Sequence, residues 1–178
     1  PGISTPGAYA EYIAVNPMMV RRLPDTMSME EGAMVEPAAV ALRAIHLGKV
    51  ETGDKVLIVG SGIIGLLCAA WARISGAAYI ALSEINPLRR EKALAYGDVD
   101  EVFDAADPKL QKKLLKITDG GFDKTFECAG PAPAVQAAIG ATGYGGTVVL
   151  VGVNYDLVPI YTMRVNMREI LIKGSYGY

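Results

Sequence analysis

The chain has 178 residues, room for one ordinary domain and part of another but too few for two full domains. Its 51% hydrophobic and 20% charged residues describe a globular chain with a sizeable core and exclude disorder, and a net charge of -2 with scattered basic residues excludes nucleic acid as a partner. Two cysteines without a short Cys or Cys/His spacing exclude a disulfide framework and a structural zinc site, and the longest apolar run, 63–72, is far below the roughly 18 residues that cross a membrane.

The sequence opens on Pro1, without Met and without the basic and apolar regions of a signal peptide, which predicts a fragment in an intracellular, cytoplasmic setting. Residues 9–15 alternate apolar and polar and predict a half-buried strand, with 19–23 as a short companion, so the opening section is expected to be β-rich. Ser28 followed by Glu31 forms a capping-box pattern for a short helix through Met34. Pro37 suits the first position of a second, Ala-rich helix that runs to Leu47 and ends on Gly48 as a left-handed cap.

Beyond Gly53 and Asp54 short apolar runs alternate with helical stretches, the pattern of a parallel sheet. Strands are predicted at 55–59, 79–83, 101–103, 122–128, 147–152 and 170–173. Helices are predicted after Gly62 and at 87–96, 108–117 and 132–141, each long enough to cross back over a sheet face. The predicted division is a β-rich section at 1–34 and an α/β domain at 35–178.

Gly60-Ser61-Gly62-Ile63-Ile64-Gly65 follows the first buried run directly and opens an apolar helix, the context that a Gly-x-Gly-x-x-Gly dinucleotide fingerprint requires. Gly60 would permit the tight turn, Gly62 would let backbone approach a pyrophosphate, and Gly65 would allow close helix-to-strand packing. The first helical amides lack internal partners and the dipole adds roughly half a positive charge there, so a diphosphate is favoured. The bland reading is a glycine-rich turn with no ligand. Glu84, about 20 residues further on at a strand end, stands where an acid would bind the adenosine ribose hydroxyls. A carboxylate there repels a 2′-phosphate and favours NAD over NADP, while Arg89 and Arg90 nearby keep the phosphorylated cofactor open; Arg89 could instead stack on the adenine.

In an open α/β sheet the ligand lies beyond the carboxyl ends of the strands. The segments after the last three strands, Cys128-Ala129-Gly130, Gly152-Val153-Asn154 and Ser175-Tyr176, are therefore either walls for the nicotinamide half or ordinary strand-end turns. No base adjoins Cys128 to generate a thiolate, and Cys68 falls within the apolar helix, so both read as packing. His46, the single histidine, falls near a helix end, which favours a structural role, and no histidine cluster or triad can form. Glu36, just before Pro37, is read from spacing as a carboxylate held by the helix dipole.

Ala10-Glu11-Tyr12, Val35-Glu36-Pro37, Gly53-Asp54-Lys55-Val56 and the glycine turn, in this order, resemble the medium-chain zinc-dependent alcohol and polyol dehydrogenase family, with Val35-Glu36-Pro37-Ala38-Ala39-Val40 most like the sorbitol and threonine dehydrogenase branch. The resemblance implies an α/β fold, a doubly wound six-stranded parallel sheet of the Rossmann type, with a β-rich remnant of a catalytic domain at the N-terminus. It implies NAD as cofactor and a catalytic zinc whose Cys and His ligands lie outside these residues. Glu36 then matches the acid that contacts the zinc, directly or through water, and Arg43 stands where related sequences often carry a relay histidine. The implied activity is hydride transfer between a secondary alcohol or polyol and NAD, with the fragment itself inactive. The implied assembly is a homodimer or homotetramer, without nucleic acid or membrane. A non-catalytic dinucleotide sensor, or a domain binding S-adenosylmethionine or a flavin, is the rival reading of the same turn.

Overall fold

The computed structural model describes residues 5–177; the opening Pro1 to Ser4 and the final Tyr178 lie outside it. By its contacts the chain divides into two units, Pro1–Val35 and Glu36–Tyr178.

The described residues of the first unit contain a single 3-10 turn, Pro17–Met19, capped by the Asn16 carboxamide, before the first helix begins. The strands expected at 9–15 and 19–23 are absent. Alternation prepares one face for burial, but a strand also needs a neighbour for its N–H and C=O groups, and these residues have none; Tyr9 and Tyr12 are fully exposed.

Helix α1 runs without a break through Met29–Gly48. Its start is the expected capping box, with Ser28 N donating to Glu31 at 2.8 Å and Glu31 N donating to the Ser28 hydroxyl at 3.1 Å. The two predicted helices are therefore one, and Pro37 lies inside it rather than at a first position. A proline ring leaves the carbonyl four residues earlier without its amide, which is tolerable here because Ala33 is exposed and water can serve it. Gly48 also differs from expectation, because the left-handed residue is Lys49, with φ 53°. Gly48 is the last, buried residue of the helix, and a Cβ there would meet Phe126 Cζ at 2.6 Å.

The remaining elements alternate as predicted: β1 Lys55–Val59, α2 Ile63–Ile74, β2 Tyr79–Glu84, α3 Pro87–Tyr96, β3 Glu101–Asp104, α4 Leu110–Ile117, β4 Phe122–Glu127, α5 Ala132–Ala141, β5 Thr142–Leu150, α6 Thr162–Arg168 and β6 Leu171–Gly174. All six strands pair in parallel in the order β3-β2-β1-β4-β5-β6. This is the doubly wound α/β sheet expected, and strand order reverses between β1 and β4. Two elements exceed the reading. Strand β5 begins at Thr142, directly after α5, and α6 was not foreseen.

One sheet face buries Val56, Ile58, Ile80 and Leu82 under α1 and α2, and the other buries Leu57, Val59, Ala81 and Val148 under α4 and α5. Covering on both faces explains why the central strands β1 and β2 are nearly continuous apolar runs rather than alternating ones. Trp71 Nε1 donates to the Ala38 carbonyl at 3.0 Å, pinning α2 to α1, and Lys173 Nζ on β6 donates to the Leu47 carbonyl at 2.8 Å.

Candidate cofactor crevice

The site forms where β1 gives way to α2. Gly60 adopts φ +100°, a conformation open chiefly to glycine, and its amide donates to the Ser83 carbonyl at 2.8 Å, so the turn is tied to the end of β2. Gly65 is fixed by packing: a Cβ there would lie 2.0 Å from the Gly60 carbonyl oxygen. Gly62 differs from both. It caps α2 in extended backbone, without a side-chain capping bond, and a Cβ built on it meets nothing within 4 Å.

Glu84 ends β2 and is 6% exposed. Its Oε2 accepts from Ser61 N at 2.9 Å and from the Ser61 hydroxyl at 2.8 Å, and its Oε1 accepts from Asn86 N at 2.9 Å. Burial alone would raise its pKa. The amides of Asn86 and Ser61, the Ser61 hydroxyl and the Arg89 guanidinium outweigh that effect and hold the carboxyl below its ordinary value. Among the described residues Oε1 receives a single donor, and it retains a lone pair for a hydroxyl. The sequence reading assigned Glu84 only to a ligand and missed that it also braces the glycine turn.

A crevice of about 430 Å³ brings together Gly60, Gly62, Glu84, Arg89, Cys128 and Ala129. Ser61, Ile63, Ile64, Gly65, Gly130, Gly152, Val153 and Ser175 do not line it. Cys128 and Ala129 therefore share a chamber with Glu84 and Arg89, whereas the ends of β5 and β6 stand apart from it. Ile85, Ala105 and Leu110 also line it, as do Pro131, Pro133 and Ala134 around the start of α5, and none of these was foreseen; Ala105 follows β3, so the strand-end rule applied to every strand would have found it. Arg90 does not line the crevice, and its Nη1 donates to the carbonyls of Glu84 and Ile85 and to Asp104. A larger cavity, about 610 Å³ beside Gln136 and Arg164, adjoins neither the glycine turn nor Glu84.

The Cys68 thiol, burial and the Glu127 carboxylate raise the Cys128 thiol well above its ordinary range, so it is no thiolate nucleophile. His46 lies in the last turn of α1, as expected. Glu36 is exposed well inside α1, and the acids of the first turn are Glu30 and Glu31, so the dipole reading of Glu36 fails. Among the described residues no three His, Cys, Asp or Glu side chains are grouped to hold a metal ion. A catalytic zinc takes three protein ligands, so these residues do not form a zinc site by themselves.

Residues 64–178 match the family model described as zinc-binding dehydrogenase. The chain belongs to the zinc-binding dehydrogenase family. Among its curated relatives, (R,R)-butanediol dehydrogenase of Bacillus subtilis (strain 168) is 34% identical over 172 residues, 97% of this chain and 49% of the relative. Sorbitol dehydrogenase of Pongo abelii is 33% identical over 174 residues, again 97% of this chain and 49% of the relative. Among solved structures, a zinc-binding dehydrogenase from Sinorhizobium meliloti 1021 bound to NADP superimposes with a TM-score of 0.80 at 31% identity, over 86% of this chain and 46% of that one. This zinc-binding dehydrogenase chain thus spans about half the length of the curated relatives it matches. The resemblance to medium-chain polyol and alcohol dehydrogenases holds, and no helix of the described residues is long and apolar enough to cross a membrane.

Proposed function

We propose that this chain is the NAD-holding part of a zinc-dependent dehydrogenase that moves hydride between a secondary alcohol or polyol and the coenzyme. The observation that carries the reading is the open space over Gly62, facing a crevice that also holds Glu84, while Gly60 and Gly65 are fixed by turn and packing. A diphosphate fits there against the first amides of α2, which no side chain caps. The free lone pair of Glu84 Oε1 accepts from a ribose hydroxyl, and its charge repels a 2′-phosphate, so NAD is preferred. Arg89 on the same crevice favours the second reading, NADP, the ligand named for the Sinorhizobium meliloti protein.

Ser61, Ile63, Ile64 and Gly65 would present backbone to the diphosphate, and Cys128, Ala129, Gly130, Gly152, Val153 and Ser175 would supply small or apolar walls along the coenzyme. Zinc, when bound in the whole protein, would polarise the alcohol oxygen as a Lewis acid. Of the residues here, Glu36 would offer it one carboxylate, and residues up to 34 would be a remnant of the domain that supplies the rest. The chain alone then binds coenzyme without turning over alcohol. Two free thiols suit a reducing, cytoplasmic setting. The outer edge of β6, where Leu171 is exposed, would pair with a second copy in a homodimer or in a homotetramer built from such pairs.

Calorimetric titration with NAD, NADP, S-adenosylmethionine and FAD, repeated on Glu84→Ala, tests the reading. NAD binding by the parent that is lost in the variant supports it. A profile unchanged by the substitution, or a preference for a ligand other than NAD or NADP, overturns it. A non-catalytic sensor would bind NAD equally well and is separated by zinc-dependent alcohol oxidation in the full-length protein.

A further inference from the structure

Glu127, the last residue of β4, is 0% exposed, yet neither the glycine turn nor the crevice wall includes it. Withdrawing a carboxylate from water is expensive, and an apolar residue would fill a core position at lower cost. Its bonds show what it does. Oε1 accepts from Ala129 N at 2.8 Å and from Gly130 N at 2.7 Å, turning the chain sharply after β4. Its backbone carbonyl accepts from Val151 N and Gly152 N, both at 2.8 Å, where the chain leaves β5. Oε2 has no hydrogen-bond partner among the described residues.

The loops held this way bear on one another at backbone distance. A Cβ on Gly60 would lie 3.1 Å from Ala129 Cβ, so the post-β4 turn backs directly onto the diphosphate turn. A Cβ on Gly130 would lie 2.7 Å from the Val153 carbonyl oxygen, and Asn154 Nδ2 donates to the Gly130 carbonyl at 3.0 Å. A Cβ on Gly152 would fall 2.3 Å from Gly130 N and 2.7 Å from Glu127 Oε2. Three loops from three strand ends therefore meet around one carboxylate at the point where strand order reverses.

We propose that Glu127 is a positioning residue for the coenzyme: by holding the amides of Ala129 and Gly130 it sets the post-β4 wall against the diphosphate turn, without touching the ligand itself. The proposal rests on the coenzyme reading above. Glu127→Ala leaves two buried amides without an acceptor. Glu127→Gln keeps a carbonyl oxygen for both and gives up only the oxygen that receives no donor.

The test is fluorescence titration of the chain with NADH, below the melting temperature of each variant, with amide hydrogen exchange as a second readout. Glu127→Ala should bind NADH about tenfold or more weakly and exchange faster at Ala129 and Gly130, while Glu127→Gln should stay within about threefold of the parent. Glu127→Asp keeps the charge but draws the acceptor away from the amides, and it should resemble the alanine variant. A folded Ala or Asp variant that binds as the parent does overturns the proposal, as does a Gln variant as weak as Ala. If neither Ala nor Asp folds, the carboxylate is a folding element and the positioning role falls. Failure of the parent to bind NADH would overturn the coenzyme reading itself, a result distinct from equal binding by parent and variants.

Discussion

An alanine at position 62 adds one methyl group to the residue that caps α2, at a point where a Cβ meets no heavy atom within 4 Å. The backbone there, φ -68° and ψ 179°, is open to any residue. Two small effects on stability then oppose each other. Alanine caps a helix less well than glycine, at a cost of up to about 1 kcal/mol, and it restricts the unfolded chain, a gain of about 0.4–1 kcal/mol. Melting should therefore move by no more than a few degrees, roughly 2–4 °C per kcal/mol for a chain of this size.

Coenzyme binding should respond quite differently to the same methyl group, which stands in the space assigned to the diphosphate. Displacing an oxygen from one charged hydrogen bond costs about 1.5–3 kcal/mol, or roughly ten- to more than a hundredfold in affinity. Gly65→Ala is the contrasting control. Its Cβ would lie 2.0 Å from the Gly60 carbonyl oxygen and 3.3 Å from Ile58, so the turn must shift, at about 1–3 kcal/mol or more. Thermal denaturation followed by circular dichroism, paired with NADH titration, separates the two. Undiminished NADH affinity in Gly62→Ala would refute the diphosphate placement, and a large loss of its stability would refute the open space.

Other expectations follow from the same geometry. The Glu84 carboxyl lies below its ordinary value of 4.5 in the folded chain, so it contributes stability above that pH and loses it as the pH falls through the depressed value. Glu84→Gln should accordingly flatten the acid limb of a melting-temperature profile below about pH 4.5; an unaltered limb would refute the assignment. Gly48→Ala should destabilise the chain by about 1–3 kcal/mol without direct effect on the crevice, because the new Cβ would meet Phe126 Cζ at 2.6 Å; chemical denaturation measures it. Leu171→Arg on β6 should shift any dimer to monomer in sedimentation while leaving NADH affinity within about twofold, since edge pairing tolerates an inserted charge poorly.

The sheet was readable because parallel strands carry their own signature. Strands covered on both faces are short unbroken apolar runs, and β1, α3 and α5 begin and end where composition placed them. What escaped depends on distant partners. Residues 9–15 alternate as a strand should, but pairing is not a property of the segment that pairs. The predicted strand starts at Thr147, yet Thr142, Gly143, Gly145 and Gly146 already belong to β5, where the Thr142 hydroxyl donates to the Ala138 carbonyl and accepts from the Thr125 hydroxyl. Helix α6 has no side-chain cap and no buried residue, which leaves little periodic signal. Within the crevice Gly60, Gly62 and Glu84 were legible from spacing. Glu127 was not, since a single acid in a strand resembles any solvated one until Ala129 and Gly130 are seen to turn back on it.

The bond from Lys173 Nζ to the Leu47 carbonyl spans 126 positions of the chain. During synthesis the first helix emerges long before its closing partner does, so the end of α1 carries an unserved carbonyl until Lys173 has left the ribosome. A chain halted before β6 would thus expose a protease-sensitive stretch near residue 48, more than a hundred residues from the cut. The last strand acts as a latch on the first helix, and the two must mature together.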